Sequence, residues 1–245
     1  MSRLVASELF KLRTTRTFAA MVGTTIVLLL LILVLTLALT DSFTTENDVR
    51  SLLSSASISG LFMLILGVVA GAGEYRHGTI ASTLLVTPNR LRAVTAQTLG
   101  VAAAGLSVGL ACALVSAAIG LPWLSAKDAA TVSTGELIAL FAGCAGYTAL
   151  AAGFGVALGA LLRNQVAAVV TVLVFLFVVD PAVASVIDEY GKFSLSGLAS
   201  AISGGSPDDA PGAEVLPQGV AALVWAGYTV IVAMGAALLT ARRDI

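Results

Sequence analysis

Six long apolar runs, divided by short polar interruptions, set the pattern of this chain. They cover Thr17 to Thr40, Leu52 to Gly73, Arg92 to Trp123, Leu137 to Leu162, Val166 to Val186 and Gly219 to Ala241. About 18 to 20 such residues suffice to cross a hydrocarbon core of about 30 Å as a helix. The runs lack the apolar/polar alternation of a membrane barrel. Helices are then the form that satisfies backbone polar groups in lipid. The pattern predicts an all-α integral membrane protein, a single domain over residues 1–245 with about six transmembrane helices.

The interruptions differ in kind. Residues 1–16 mix Leu4, Val5, Leu9, Phe10 and Leu12 with Arg3, Lys11, Arg13 and Arg16, which suits an amphipathic helix lying in the membrane interface. A signal peptide is the competing reading, but its apolar region is about 7–15 residues, shorter than the run that follows, so a retained span is favoured. The stretch between the first two runs, Val49 included, reads as a loop. Between the second and third runs lies GEYRHGTIASTLLVTPNR, from Gly73 to Arg90, with Glu74, Arg76 and the single histidine, His77. Arg163-Asn164-Gln165 forms a short polar turn. Residues 189–218 read as an extracytoplasmic or re-entrant segment. Within it Lys192–Ser203 is too short to span and is bounded by Gly191 and Gly204-Gly205.

Composition sharpens this picture. The chain is 58% hydrophobic and 11% charged, against about 25% charged in a soluble domain. Its net charge of -1 conceals an asymmetry. With six spans, Arg3, Lys11, Arg13, Arg16, Arg76, Arg90, Arg92, Arg163, Arg242 and Arg243 share one side, and Arg50, Lys127 and Lys192 take the other. The Lys/Arg bias puts both termini and the insert in the cytoplasm. Abundant Ala and scarce Lys point to a GC-rich bacterial gene, hence to the bacterial plasma (inner) membrane.

Candidate chemistry is sparse. Cys112 and Cys144 sit inside apolar runs with no Cys/His spacing motif, as small buried residues do. One histidine cannot make a zinc site of the HExxH type. GLSVG, from Gly105 to Gly109, matches the GxSxG pattern but lies within a helical run, where Ser107 has no nucleophile elbow. Tyr190-Gly191-Lys192 lacks the remaining residues of a phosphate loop. No catalytic, metal or cofactor-binding residues are assigned, no enzyme activity and no nucleic-acid partner are expected, and ATP-driven work would need another subunit. An ion-coupled carrier keeps ionisable groups in the membrane; Asp180, beside Pro181, is the one candidate, and an outer helix end is its simpler reading. The pairs Gly67/Gly71, Gly105/Gly109 and Gly155/Gly159 are small-xxx-small motifs, which favour close helix packing and a dimer.

Within the insert, Thr79 can cap a short helix that Pro88 ends. Thr79 to Thr87 would make a rod of about 13 Å, too short to span. Ile80 and Leu84 share a face, with Thr83 and Thr87 beside them. Such a rod suits docking on another protein; an ordinary cytoplasmic loop is the alternative.

SELFKLRTTRTF (Ser7–Phe18) before the first span, and GEYRHGTIASTLLVTPNRLRAVTAQTL (Gly73–Leu99), resemble the membrane permease subunits of type-2 ABC exporters. The matching features are Glu74, Arg76, Gly78, Thr79, Pro88, Arg90 and Arg92, which lead into the third span. The resemblance implies an N-terminal elbow helix over 1–16 and a cytoplasmic coupling segment over 74–90. It implies contact with a separate ATP-binding cassette subunit through Arg76, His77, Thr79, Ile80, Thr83 and Leu84, with Glu74 bracing the coupling helix. ATP and Mg would sit on that partner, and a second permease, identical or different, would complete the cargo path within membrane lipid. The alternative is a non-transporting membrane anchor or sensor subunit of a partner complex.

Overall fold

The computed structural model describes residues 2–40, 42–76, 90–127, 129–204 and 216–242, and every regular element among them is helical. In chain order these are α1 (Ser2–Thr14), α2 (Arg16–Leu39), α3 (Glu46–Ser54), α4 (Ile58–Arg76), α5 (Arg90–Ala126), α6 (Thr134–Leu162), α7 (Gln165–Val174), α8 (Asp180–Ala184), α9 (Asp188–Gly191), α10 (Leu195–Ser203) and α11 (Gln218–Arg242). A 3-10 turn, Ser55–Ser57, joins α3 to α4, and a π turn, Phe175–Val179, joins α7 to α8. Six continuous helical stretches are long and apolar enough to cross a membrane. The chain is a multi-pass membrane protein by that measure.

The first span shows what surrounds the bundle. The 24 residues of α2 reach about 36 Å. Thr25, Leu29, Leu33 and Leu37, at spacing i, i+4, form its buried stripe. Val27, Leu31, Leu35 and Leu39 on other faces are exposed. Large apolar surfaces of this kind require an apolar surrounding, and a bilayer supplies it.

The centre is α6, packed against α4, α5 and α11. Gly67 and Gly71 of α4 face Gly155 and Gly159 of α6. A Cβ at Gly67 would fall on the Ala152 carbonyl, at Gly71 on that of Val156, at Gly155 on that of Leu64 and at Gly159 on that of Val68. The two backbones therefore touch along two reciprocal glycine pairs, the close approach that replaces hydrophobic driving force in lipid. Gly105 and Gly109 of α5 meet Ala145, Thr148, Ala149 and Ala152 of α6 in the same way. All three motifs are spent inside the chain, so they lend no support to the expected dimer. The hydroxyls of Ser59 on α4 and Thr148 on α6, both buried, bond at 2.7 Å across that interface.

Two local outcomes differ from expectation. The loop before the second span contains α3, started by a capping box in which Thr45 and Asp48 exchange side-chain and backbone hydrogen bonds. Val49 is consequently buried rather than part of an outer loop. The fifth span is not one regular helix. Its ladder widens into the π turn just before Pro181, which has no N–H to donate to the preceding turn.

Contacts between helix ends sort the bundle into a near end, where the chain begins, and a far end. The near end joins α1, the C-terminus of α4 and the N-terminus of α7. The far end joins the C-terminus of α2 to that of α5, where Lys127 donates to the carbonyls of Leu37 and Thr40 and lies over the Phe43 ring. Arg50 pairs there with Glu136 at 3.2 Å. Lys11 and Arg76 of the Lys/Arg-rich group thus lie at the near end, and Arg50 and Lys127 of the Lys/Arg-poor group at the far end.

Candidate functional site at the near end

The site is assembled from α1, α4 and α5. In α1, Glu8 and Lys11 are three residues apart and therefore neighbours on one face, with Lys11 Nζ 2.6 Å from Glu8 Oε1. The same ammonium lies 3.4 Å from Glu74 Oε1, in the last turn of α4. A carboxylate near a helix C-terminus opposes the helix dipole, and the cation brought in by α1 offsets it. Both carboxylate side chains are mostly covered, 14% exposed for Glu8 and 15% for Glu74, whereas Lys11 is 53% exposed. Burial at the joint works against the Lys11 charge. The Glu8 hydrogen bond and field, followed by Glu74, outweigh it and raise the lysine above its ordinary range.

Helix α1 seats on α5 because Gly100 leaves room. A Cβ there would stand 2.7 Å from the Glu8 Cβ. Gln97, one turn earlier and buried, donates to the Ala70 carbonyl of α4 at 3.1 Å. Between these helices lies a cavity of about 560 Å³, with Leu12, Leu66 and Val101 on its apolar side and Lys11, Glu74 and Gln97 among its polar groups.

Arg76 ends α4 and donates to Gln165 Oε1 at 3.0 Å, tying α4 to the start of α7. Arg163 caps α6 with a left-handed backbone, φ 55°, and its guanidinium stands 5.1 Å over the Tyr75 ring. Asn164 accepts from the amides of Val166 and Ala167 and starts α7.

Of the residues singled out in sequence, Glu74 and Arg76 thus come together on one cavity. His77, Thr79, Ile80, Thr83 and Leu84 lie outside the described residues, as does the stretch of the coupling segment from residue 77 to 89. Ser107 is a helical residue whose hydroxyl donates to the Ala104 carbonyl at 2.7 Å. Lys11, the partner of Glu74, was named only as a cation of the interfacial helix, and Glu8 and Gln97, which line the same cavity, were not singled out. The joint can hold, release and re-form ion pairs between two helices. Among the described residues no group of three His, Cys, Asp or Glu side chains could hold a metal ion.

A second polar cluster sits at the far end. Asp180 is fully buried. Its carboxylate accepts from the Tyr190 hydroxyl at 2.8 Å, the Leu195 and Ser196 amides at 3.2 and 2.9 Å, and the Ser196 hydroxyl at 2.6 Å. Those amides open α10, so the carboxylate also meets the positive end of a helix dipole. Burial, and then the Asp180 carboxylate, push the Tyr190 phenol up to about 12, which keeps it a neutral donor. Helix α10 is capped by Ser194 at its start and ends at Gly204 in the left-handed region, φ 72°. Asp180 lies near the outer end of the fifth span, as expected, and is buried there as an anchor for α10.

No family model matches the chain, and no curated protein matches it.

Proposed function

We propose that the chain is the membrane permease subunit of an ATP-driven exporter, of the type-2 ABC class it resembles, working as a pair with separate ATP-binding subunits. The observation that carries this reading is the Lys11–Glu74 joint. It fastens the amphipathic helix α1 to the residue at which the polar insert leaves the second span. A force applied to the insert would pass through Glu74 to α1 and α4 together, and α4 is locked by glycine contact to the central helix α6. The point at which the insert leaves the second span is then tied to helices packed in glycine contact. Nucleotide binding on the partner would bias two arrangements of the spans through this connection. Both termini and the insert face the cytoplasm in this reading, as the Lys/Arg bias supports.

The test acts on the insert. Ile80→Asp or Leu84→Asp places a charge where an apolar contact with the ATPase is proposed, at a cost of several kcal/mol if unpaired. Insertion into the membrane should be normal, while copurification of the ATPase and vesicle transport fall sharply. Retention of the ATPase and normal transport in both variants would remove the docking role. A complex that retains its ATPase yet moves no cargo under any condition would favour the anchor reading.

A further inference from the structure

A groove of about 300 Å³ lies between α5 and α11, with the central helix α6 as its floor. Small residues make it deep: Ala149 and Gly153 below, Ala102 and Ala226 on the flanks. Leu99 of α5 and Val230 of α11 also line it and are 53% and 55% exposed, so they form its rims. An apolar pocket between helices with a few polar groups is the common form of a small-ligand site.

Three threonines line this groove, and their hydroxyls differ. Thr95 donates to the Arg92 carbonyl at 3.1 Å and Thr229 to the Trp225 carbonyl at 3.0 Å, the usual way in which a helix absorbs such groups. The Thr98 hydroxyl is closed off from solvent and has no partner among the described residues, an unfavourable state for a polar group. Its methyl group faces α6, since a Cβ at Gly153 would lie 3.3 Å from Thr98 Cγ2. One step about χ1 carries the hydroxyl to that position, and threonine uses two such states in helices. The groove thus has one donor to offer in an apolar wall.

Depth in the membrane selects the acceptor. Thr98 is six residues past Arg92, about 9 Å along α5. The polar layer of a bilayer is about 5–8 Å deep on each side. With Arg92 among the headgroups, Thr98 stands at the edge of the hydrocarbon, at the level of the lipid ester groups. From there the groove continues inwards past Ala102 and Ala226. We infer that it holds one acyl chain of a phospholipid from the near-end leaflet, whose ester carbonyl accepts from the Thr98 hydroxyl. The inference needs only the membrane location of the chain and is independent of the exporter reading.

The test separates this site from the general lipid coat. The full chain is reconstituted in phosphatidylcholine vesicles holding a trace of photoactivatable phosphatidylcholine, with a diazirine a few carbons below either an ester or an ether linkage. Cross-linked residues are located by mass spectrometry. The ester probe should label Ala102 and Ala226 severalfold more than Leu106 and Leu223, which are 50% and 74% exposed on the same two helices. Thr98→Val keeps the shape and removes the donor. It should lower groove labelling by the ester probe about fivefold, the worth of one ordinary hydrogen bond, and leave the ether probe unchanged. Ala102→Phe fills the groove and should abolish the excess at Ala226 for both probes. If that variant does not fold, Thr98→Val decides. Thermal stability of Thr98→Val in detergent without lipid should match or exceed wild type. A loss of stability would show that the hydroxyl is already satisfied within the protein, and overturns the inference. Equal labelling of groove and outer residues in wild type overturns it, as does an ester-to-ether ratio that Thr98→Val leaves unchanged.

Discussion

The near-end joint and the far-end anchor are both built on a carboxylate, and they are built differently. At the joint, Glu74 meets the ammonium of a lysine that is 53% exposed, at 3.4 Å. Such pairs are screened by solvent and contribute from nothing to about 1 kcal/mol. At the anchor, Asp180 is fully buried and accepts four hydrogen bonds, two of them from backbone amides. Removal of a buried acceptor leaves each donor to bear a desolvation cost of about 1–3 kcal/mol. The first device can be broken and re-formed at little cost, whereas the second holds one geometry. The near-end pair can therefore rearrange at little cost, whereas the far end keeps α10 fixed to the fifth span.

The sharpest way to break this contrast is Asp180→Ala. It strands the Leu195 and Ser196 amides and the Tyr190 hydroxyl, so a loss of about 3 kcal/mol or more is expected. Thermal unfolding in detergent measures it, and a cysteine placed at Ser200 should become more reactive as α10 loosens. A stability loss below that of Glu74→Gln would show that the anchor is not the stronger device. Tyr190→Phe removes one donor and leaves the carboxylate three others, for an expected loss of about 1 kcal/mol. The same unfolding assay applies, with α10 still in place.

Glu74→Gln should have the smallest effect on stability, under about 1 kcal/mol. Unfolding of the wild type should approach that of the variant as salt is raised, since screening weakens exposed pairs first. If the proposed function is right, coupling between ATP hydrolysis and transport falls in this variant while the ATPase stays bound. The sign of the pH response follows from Lys11. Its folded value is raised, so the stability it contributes is complete below the ordinary lysine value and is lost as pH rises through the raised one. A joint that fails near neutral pH would contradict that assignment.

Much of the architecture was legible along the chain, because membrane spans announce themselves by length and apolarity alone. The same one-dimensional pattern hid α3. Its residues are short of a span and mixed in polarity, and only the Thr45/Asp48 spacing signalled a helix. The small-residue pairs were readable as packing motifs, yet their partners were not. Spacing says which face of a helix is narrow, and it does not say whether a neighbour in the same chain or a second copy fills it. Gly67/Gly71 and Gly155/Gly159 turned out to fill each other. Glu74 and Arg76 were identified from the insert. Their partners Lys11 and Gln165 stand 63 and 89 residues away in sequence, and local periodicity carries no information over such separations.

What the sequence determined by itself is the solvent of this protein and its segmentation. Long uncharged runs cannot remain in water, and each must form its own helix because lipid offers no hydrogen bonds. Tertiary structure decided which polar groups serve as partners. Asp180 read as a residue at a helix end, and the fold brought Tyr190 and the start of α10 to it, so that a buried carboxylate is satisfied by donors 10 to 16 residues further along. Glu74 read as one acid in a polar insert, and the seating of α1 on Gly100 delivered Lys11 to it. The physical reason is common to both. Burial in lipid is set residue by residue, whereas pairing of the few charges depends on which helix ends the glycine-packed core allows to meet.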